Sequence, residues 1–220
     1  MKEAIIIDVC IIGGGWSGLL SCKNALENGL RPIVLEAREN IGGIWLYTDD
    51  KNIPSVMKNT ITSSSATLTE ASDFYMKKEY GSFLTHEEVH EYLEDYVKHF
   101  KLSDHLKFNH KVKQTSKEGD VWIIECDNGN IIKAKNLLLA TGAHQVPRVK
   151  VSELENFLGD IKHSIEVKSL DISHYSKDDH ILVYGGGETA SDIIELLVKA
   201  EAKITCSILN GQHVVRKTAR

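Results

Sequence analysis

Several function classes are excluded by what the chain lacks. No apolar run approaches the roughly 20 residues a membrane-spanning helix needs. The most apolar stretch, residues 5–12, carries Asp8 and runs straight into glycines, so it reads as a buried strand and not as a signal peptide. Positive charge is not in surplus: 26 Lys and Arg face 31 Asp and Glu, a net charge of -5, which leaves no basic footprint for nucleic acid. Four cysteines, Cys10, Cys22, Cys126 and Cys206, are spread along the chain without a CxxC pair. That usage points to a reducing compartment, the cytoplasm, and not to a disulfide framework. What is present is the composition of a globular protein, 42% hydrophobic and 26% charged over 220 residues. This length holds one large domain, or one domain plus part of a second.

The organisation is read from two glycine-rich turns. Residues 4–12 form a near-continuous β-branched run, as in a parallel strand covered on both faces. Gly13-Gly14-Gly15-Trp16-Ser17-Gly18 follows, and then Leu19, Leu20, Ala25 and Leu26 recur at helical spacing until Gly29 ends the helix. Pro32–Leu35 is a second strand, closed by Glu36. This is the βαβ opening of a dinucleotide-binding half-domain. The pattern returns later: a strand at His180–Tyr184, the loop Gly185-Gly186-Gly187-Glu188-Thr189-Ala190, a helix over 190–200 and a strand over 203–209. The fold class is therefore α/β: a Rossmann-like dinucleotide-binding domain with a β-meander insertion, then the start of a second Rossmann-like dinucleotide-binding domain. The boundary falls between 1–150 and 151–220, near Pro147. No return segment completes the first domain, so the chain reads as the N-terminal part of a longer protein.

Between the loops, residues 40–80 show little periodicity and contain Gly42-Gly43-Ile44-Trp45 and a Ser/Thr-rich run from Thr60 to Thr69. Long irregular stretches in compact domains are usually functional. Residues 85–100 predict an amphipathic helix with a Thr85/Glu88 capping box and an apolar face of Val89, Tyr92, Leu93, Tyr96, Val97 and Phe100. Short strands are expected at 106–112, 121–126 and 131–134, the last two joined by Asp127-Asn128-Gly129. A further buried strand is expected at 137–139, before the Ala140-Thr141-Gly142 turn.

The chemistry of the loops follows from their shape. A glycine turn between strand and helix lets the backbone approach a pyrophosphate, and the helix N-terminus supplies N–H donors and a positive dipole end. Glu36 lies about 20 residues beyond the first loop, where a carboxylate accepts from ribose hydroxyls. FAD and NAD both fit this half. The second loop has Ala190 where a third glycine would stand, which the fingerprint permits.

These residues resemble the flavin-containing monooxygenases, with the Baeyer–Villiger enzymes further off. The resemblance rests on Gly13-x-Gly15-x-x-Gly18, Glu36, Gly42-Gly43-Ile44-Trp45, Ser72-Asp73-Phe74, the 140–142 turn and the second loop. Its most specific element is Phe157-Leu158-Gly159-Asp160-Ile161-Lys162-His163-Ser164, which fits the family's FxGxxxHS signature. It implies FAD at Gly13, Gly14, Gly15, Trp16, Ser17, Gly18, Glu36, Ile44, Trp45, Thr141 and Gly142, with Val112 as a backbone contact. It implies NADPH, with NADH admitted, at Gly185, Gly187, Glu188, Thr189, Ala190, Ser191, Asp192 and Ser207. It also implies the chemistry: reduced nicotinamide reduces FAD, and a flavin C4a-(hydro)peroxide formed with O2 oxygenates a soft nitrogen or sulfur of a small molecule. Self-association into a homo-oligomer is compatible with it.

Two departures stand out. The family's Asn before the Ser-Asp-Phe segment is replaced by Ser63-Ser64, which the resemblance implies as the catalytic positions near the flavin; Asn59 lies some four residues too early. After the strand at 204–208 the chain reads Ser207-Ile208-Leu209 where the family often has Arg for the 2′-phosphate, and Arg216 and Lys217 stand near enough in sequence to substitute. His163 reads as a structural histidine. Three other readings compete. One is a truncated, non-catalytic nucleotide-binding fragment. Another is a flavin-dependent NAD(P)H oxidase or reductase, although the cysteines lack the pairing a disulfide reductase needs. His86-Glu87-Glu88-Val89-His90 satisfies the HExxH zinc pattern, but His86 falls at the helix start and no third ligand follows, so no metal is expected.

Overall fold

A computed structural model of the chain describes residues 6–147 and 152–211. Two compact units emerge, Met1–Leu46 with Val89–Gln145, and Tyr47–Glu88 with Val146–Arg220. The boundary read from the sequence follows chain order, whereas compactness groups residues 47–88 with the later segment. Two anchors account for that grouping. The buried Lys168 ammonium donates to the carbonyls of Asp50 (2.6 Å) and Ile53 (2.7 Å), and the Thr60 hydroxyl donates to the Asp192 carboxylate at 2.5 Å.

The first unit is built on a six-stranded sheet. Strand β1 (Ile6–Ile12) leads through the first glycine loop into helix α1 (Trp16–Glu27), and β2 (Pro32–Leu35) pairs parallel to β1. Strands β3 (Leu106–Lys107), β4 (Val112–Glu118), β5 (Val121–Cys126) and β6 (Ile131–Leu139) complete the order β3-β2-β1-β6-β5-β4. β6 runs parallel to β1 along one edge and antiparallel to β5 along the other. The two strands expected at 131–134 and 137–139 are therefore one nine-residue strand. Polar Lys133, Lys135 and Asn136 interrupt its apolar run, which is why the sequence divides it. The strand expected at 106–112 is instead two: β3 stops after two residues, Asn109 takes φ 56, and β4 begins at Val112. Most of β4 carries no apolar signal because Lys113–Glu118 are exposed on an edge strand, where charge discourages further pairing.

The helical expectations hold with small shifts at their ends. A short helix, α2 (Ala66–Thr69), falls in the irregular segment of the second unit. Helix α3 spans His86–His99. Its Thr85 cap is reciprocal: the Glu88 N–H donates to the Thr85 hydroxyl (3.3 Å), and the Thr85 N–H donates to the Glu88 carboxylate (2.8 Å). Val89, Tyr92, Leu93, Tyr96 and Val97 are buried, as the apolar face requires, and the Phe100 ring packs tilted against Tyr96, with centroids 4.6 Å apart. In the second unit β7 (His180–Tyr184) pairs parallel to β8 (Lys203–Ser207), and helix α4 (Glu188–Lys199) connects them.

The sheet core of the first unit gathers Cys10, Leu35, Ile124, Cys126 and Ala134, with Val112 and Trp122 packed against it. Burial pushes the Cys10 thiol up to about 12 and the Cys22 thiol up to about 11, and it raises Cys126 as well. Cys206 alone of the four is exposed, and all four are free thiols. Iodoacetamide at pH 8 is therefore expected to label Cys206 in the folded chain and to spare the others until denaturant is added. Mass spectrometry showing early modification of Cys10 or Cys22 would contradict this packing.

Asp8 fixes the register at the start of β1. Its carboxylate accepts from the Arg31 guanidinium (2.9 Å), the Arg31 N–H (3.1 Å) and the Lys135 ammonium (2.9 Å), so it joins the chain entering β2 to β6. The Arg31 and Lys135 hydrogen bonds hold the Asp8 carboxyl well below the usual carboxylate range. A lowered folded-state pKa stabilises the fold above the unfolded value, near ~3.9, and that contribution fades as pH drops towards the folded value. Asp8→Asn should lower the urea midpoint at pH 7, and its deficit should shrink as pH falls below about 4. A deficit unchanged between neutral and acid pH would show that the carboxylate charge is not its source.

Candidate functional site

Around the first loop, backbone packs directly against backbone. Gly13 takes φ +110, and a Cβ there would lie 2.3 Å from the Ala140 carbonyl oxygen. A Cβ on Gly18 would lie 1.9 Å from the Gly13 carbonyl oxygen. The Gly13 N–H donates to Leu35 O (2.9 Å) and the Ala140 N–H to Ile12 O (2.9 Å), so the loop is clamped between the ends of β2 and β6. This brings the Ala140-Thr141-Gly142 turn, with Gly142 at φ +78, beside the first glycine.

Gly15 caps α1 with extended backbone (φ -80, ψ -173) and no capping side chain. The first-turn N–H groups of a helix have no intrahelical acceptor, so a capless start is suited to an anion. Glu36 stands behind the loop, 8% exposed. One carboxylate oxygen accepts from the Gly14 N–H at 2.6 Å and the other from the Arg38 N–H at 2.8 Å. The Gly42 N–H donates to Gly14 O (3.0 Å), and a 3-10 turn over Gly43–Trp45 carries Ile44 and Trp45. Trp16 stacks on Tyr92 at 5.5 Å, so α3 supports the loop from behind. Of the residues expected to bind FAD, Glu36 meets the loop directly, while the turns that carry residues 44–45 and 141–142 reach it through Gly42, Gly43 and Ala140. Val112 sits apart from this loop contact, half-buried at the start of β4 against the sheet core. Arg38 was not anticipated: its guanidinium donates to Gly43 O at 3.1 Å. The signal was its place two residues after Glu36.

The second loop repeats the local geometry with less enclosure. Gly185 takes φ +121 and its N–H donates to Ser207 O at 2.9 Å. Gly187 caps α4 with φ -82 and ψ -179, again without a capping side chain. A Cβ on Gly185 or Gly187 would meet no described residue within 4 Å. A cavity of about 290 Å³ is lined by Tyr184, Gly185, Gly186 and Ser207–Gly211. Glu188, Thr189, Ala190 and Ser191 form the first turn of α4, and the Asp192 carboxylate is engaged by Thr60. Arg216 and Lys217 lie outside the described residues.

Other singled-out residues have local partners. Ser63 and Ser64 are exposed, and the Ser64 hydroxyl is hydrogen-bonded to that of Thr69 at 2.6 Å. The buried member of that run is Thr62, whose hydroxyl accepts from the Leu84 N–H (2.9 Å) and donates to Ser64 O (2.8 Å). His163 caps a 3-10 turn: its Nδ1 accepts from the Ile165 N–H, and its backbone N–H donates to the Glu166 carboxylate. In the zinc-like pattern, His86 stacks on Tyr47 at 5.1 Å, and His90 Nε2 lies 3.2 Å from Ile41 O.

Two glycine-capped β–α–β units place the chain in the class of α/β proteins with two dinucleotide-type loops. A family profile described as flavin-binding monooxygenase-like matches residues 7–220, and the chain belongs to that family. Dimethylaniline monooxygenase (N-oxide-forming) 2 of Macaca mulatta is 29% identical over 224 residues, covering 96% of this chain and 41% of the relative. The chain thus spans less than half the length of that relative. The S-allyl-L-cysteine S-oxygenase of Allium sativum superposes with a TM-score of 0.79 at 21% identity, over 98% of this chain and 54% of its own. A structure described as OTEMO in complex with FAD and NADP superposes with a TM-score of 0.66 at 19% identity, over 94% and 39%. At these identities the structural likeness shows a shared fold.

The contacts of the first loop separate folding from ligand approach. Gly13→Ala and Gly18→Ala force backbone apart and should each cost more than about 2 kcal/mol. Gly15→Ala places its Cβ 3.4 Å from the Gly43 Cα, an ordinary contact at a permitted φ. It should change stability by less than about 1 kcal/mol. Urea denaturation of the three variants tests this ordering, and equal losses would refute it.

Proposed function

We propose that the chain forms the cofactor-binding part of an NAD(P)H-dependent flavin monooxygenase. FAD occupies the first loop, and NADPH, with NADH as the weaker alternative, occupies the second. O2 and a small molecule bearing a soft nitrogen or sulfur are the substrates. The observation that supports this best is the repeated turn: Gly13 and Gly185 take φ +110 and +121, and Gly15 and Gly187 cap their helices with nearly the same backbone angles and no side chain. One such turn fits any dinucleotide; two, within a family of flavin-binding monooxygenases, fit a flavin and its reductant. The activities for which the relatives are named, N-oxide formation and S-oxygenation, support the substrate class.

The residues fit the cofactors. The α1 and α4 N-termini offer N–H groups to the two pyrophosphates. Glu36 retains lone pairs beyond its two backbone donors, and these suit ribose hydroxyls. Ile44, Trp45, Thr141 and Gly142 border the same loop. Ser207 lines the cavity of the second loop, and no carboxylate is among that cavity's described lining residues, which suits a 2′-phosphate. Bound FAD supplies the redox centre that accepts reducing equivalents from the nicotinamide and passes them to O2. The chain's part is to hold, orient and shield the two cofactors. A cytoplasmic location agrees with the free thiols; no helix among the described residues is long and apolar enough to cross a membrane.

The test is the visible spectrum of the purified chain before and after NADPH under anaerobic conditions. A flavin spectrum that bleaches is the expected result. A flavin spectrum that NADPH leaves intact removes the second loop from the reaction. A folded but colourless chain favours a nucleotide-binding piece with no redox activity of its own. Gly15→Ala, which spares the fold, should weaken FAD binding at least about tenfold by blocking the pyrophosphate. Glu36→Ala should weaken it about five- to tenfold. Flavin affinity unchanged in both variants would mean that the flavin binds elsewhere.

A further inference from the structure

The second histidine of the HExxH pattern faces the flavin turn. His90 is half-buried on α3, and its Nε2 lies 3.2 Å from the Ile41 carbonyl oxygen, so the ring N–H donates to it. Its ring also lies against the next residue: a Cβ on Gly42 would come within 2.7 Å of His90 Cδ2. Gly42 takes φ +119, a conformation open to glycine, and its N–H donates to Gly14 O at 3.0 Å. Gly43 follows so closely that its own Cβ would lie 3.1 Å from the Gly15 Cα. The turn over 41–45 is thus pressed onto the middle of the glycine loop, with His90 holding one end and the Arg38 guanidinium, on Gly43 O, the other.

We infer that His90 is a positioning residue for the flavin site: it fixes the Ile41–Gly42 peptide so that Gly42 and Gly43 stay against Gly14 and Gly15. The inference rests on the flavin reading of the first loop. It gives the HExxH pattern a role without metal. A histidine suits the place because it combines a flat ring, which fits beside a residue lacking a side chain, with an N–H that reaches the carbonyl. The two ends of the turn are held by different elements, α3 and the segment after β2. Losing His90 should therefore loosen the turn without removing the Arg38 contact.

The experiment has two arms on the full 220-residue chain. The first reads amide hydrogen exchange at Gly42 and Trp45 by NMR, with no cofactor added. The second reads FAD affinity by quenching of flavin fluorescence. His90→Leu keeps the bulk and loses the donor; it should speed Gly42 exchange about tenfold and weaken FAD at least about fivefold. His90→Gln, which restores an N–H donor, should recover most of both. If His90→Leu fails to fold, His90→Asn, too short to reach Ile41 O, takes its place. A merely structural histidine would lower the unfolding midpoint in all variants alike and leave Gly42 exchange in the folded state unchanged, and that result overturns the inference. Wild-type chain with a protected Gly42 amide but no FAD affinity would instead overturn the flavin assignment, while the exchange arm still decides the role of His90 in the turn.

Discussion

The first unit depends on a close approach of main chain to main chain. Gly13 and Gly18 let α1 settle against the end of β1, and the Ala140 carbonyl fills the space a side chain at Gly13 would need. Nothing softer than backbone stands in that contact, so its tolerance is a few tenths of an ångström. The consequences spread outward. The clamp sets where α1 starts, the start of α1 sets where its N–H groups point, and Glu36 and the 41–45 turn are then built onto a fixed frame. Hydrogen bonds from Gly14 to Glu36 and from Gly42 to Gly14 lock these pieces rather than create them.

The two dinucleotide loops share conformation but not surroundings. The first is hemmed in by Ala140, Glu36 and Gly43, whereas Gly185 and Gly187 have open space where a side chain would stand. Within its own unit, the second loop's helix is held from its flank, where the Thr60 hydroxyl donates to the Asp192 carboxylate.

The sequence made the recurring parts legible and hid the exceptional ones. Strands β1, β2, β5 and β7, helices α1, α3 and α4, and both glycine turns follow from periodicity and punctuation. The Thr85/Glu88 box and the Asp127–Gly129 turn were readable because their chemistry is local. β4 escaped because an edge strand faces water with polar residues, and a single β6 escaped because a strand paired on both edges can still carry lysines out of its plane. Around the first loop, Glu36 was marked by its spacing. The contacts of Arg38 and His90 were not, since each is made to a carbonyl brought near by the fold, and a partner of that kind leaves no trace in residue type. Ser63 and Ser64 show the reverse: the pattern drew attention to them, while the buried hydroxyl beside them belongs to Thr62.

β6 joins two structural systems. Along one edge it belongs to the parallel sheet that carries the glycine loop, and along the other it belongs to the antiparallel hairpin. Its C-terminal end delivers the Ala140 carbonyl to Gly13. The hairpin is therefore no ornament on the sheet but a splint for the strand that closes the loop. Fraying at residues 127–129 would be passed along β6 to Ala140, the residue against which Gly13 packs.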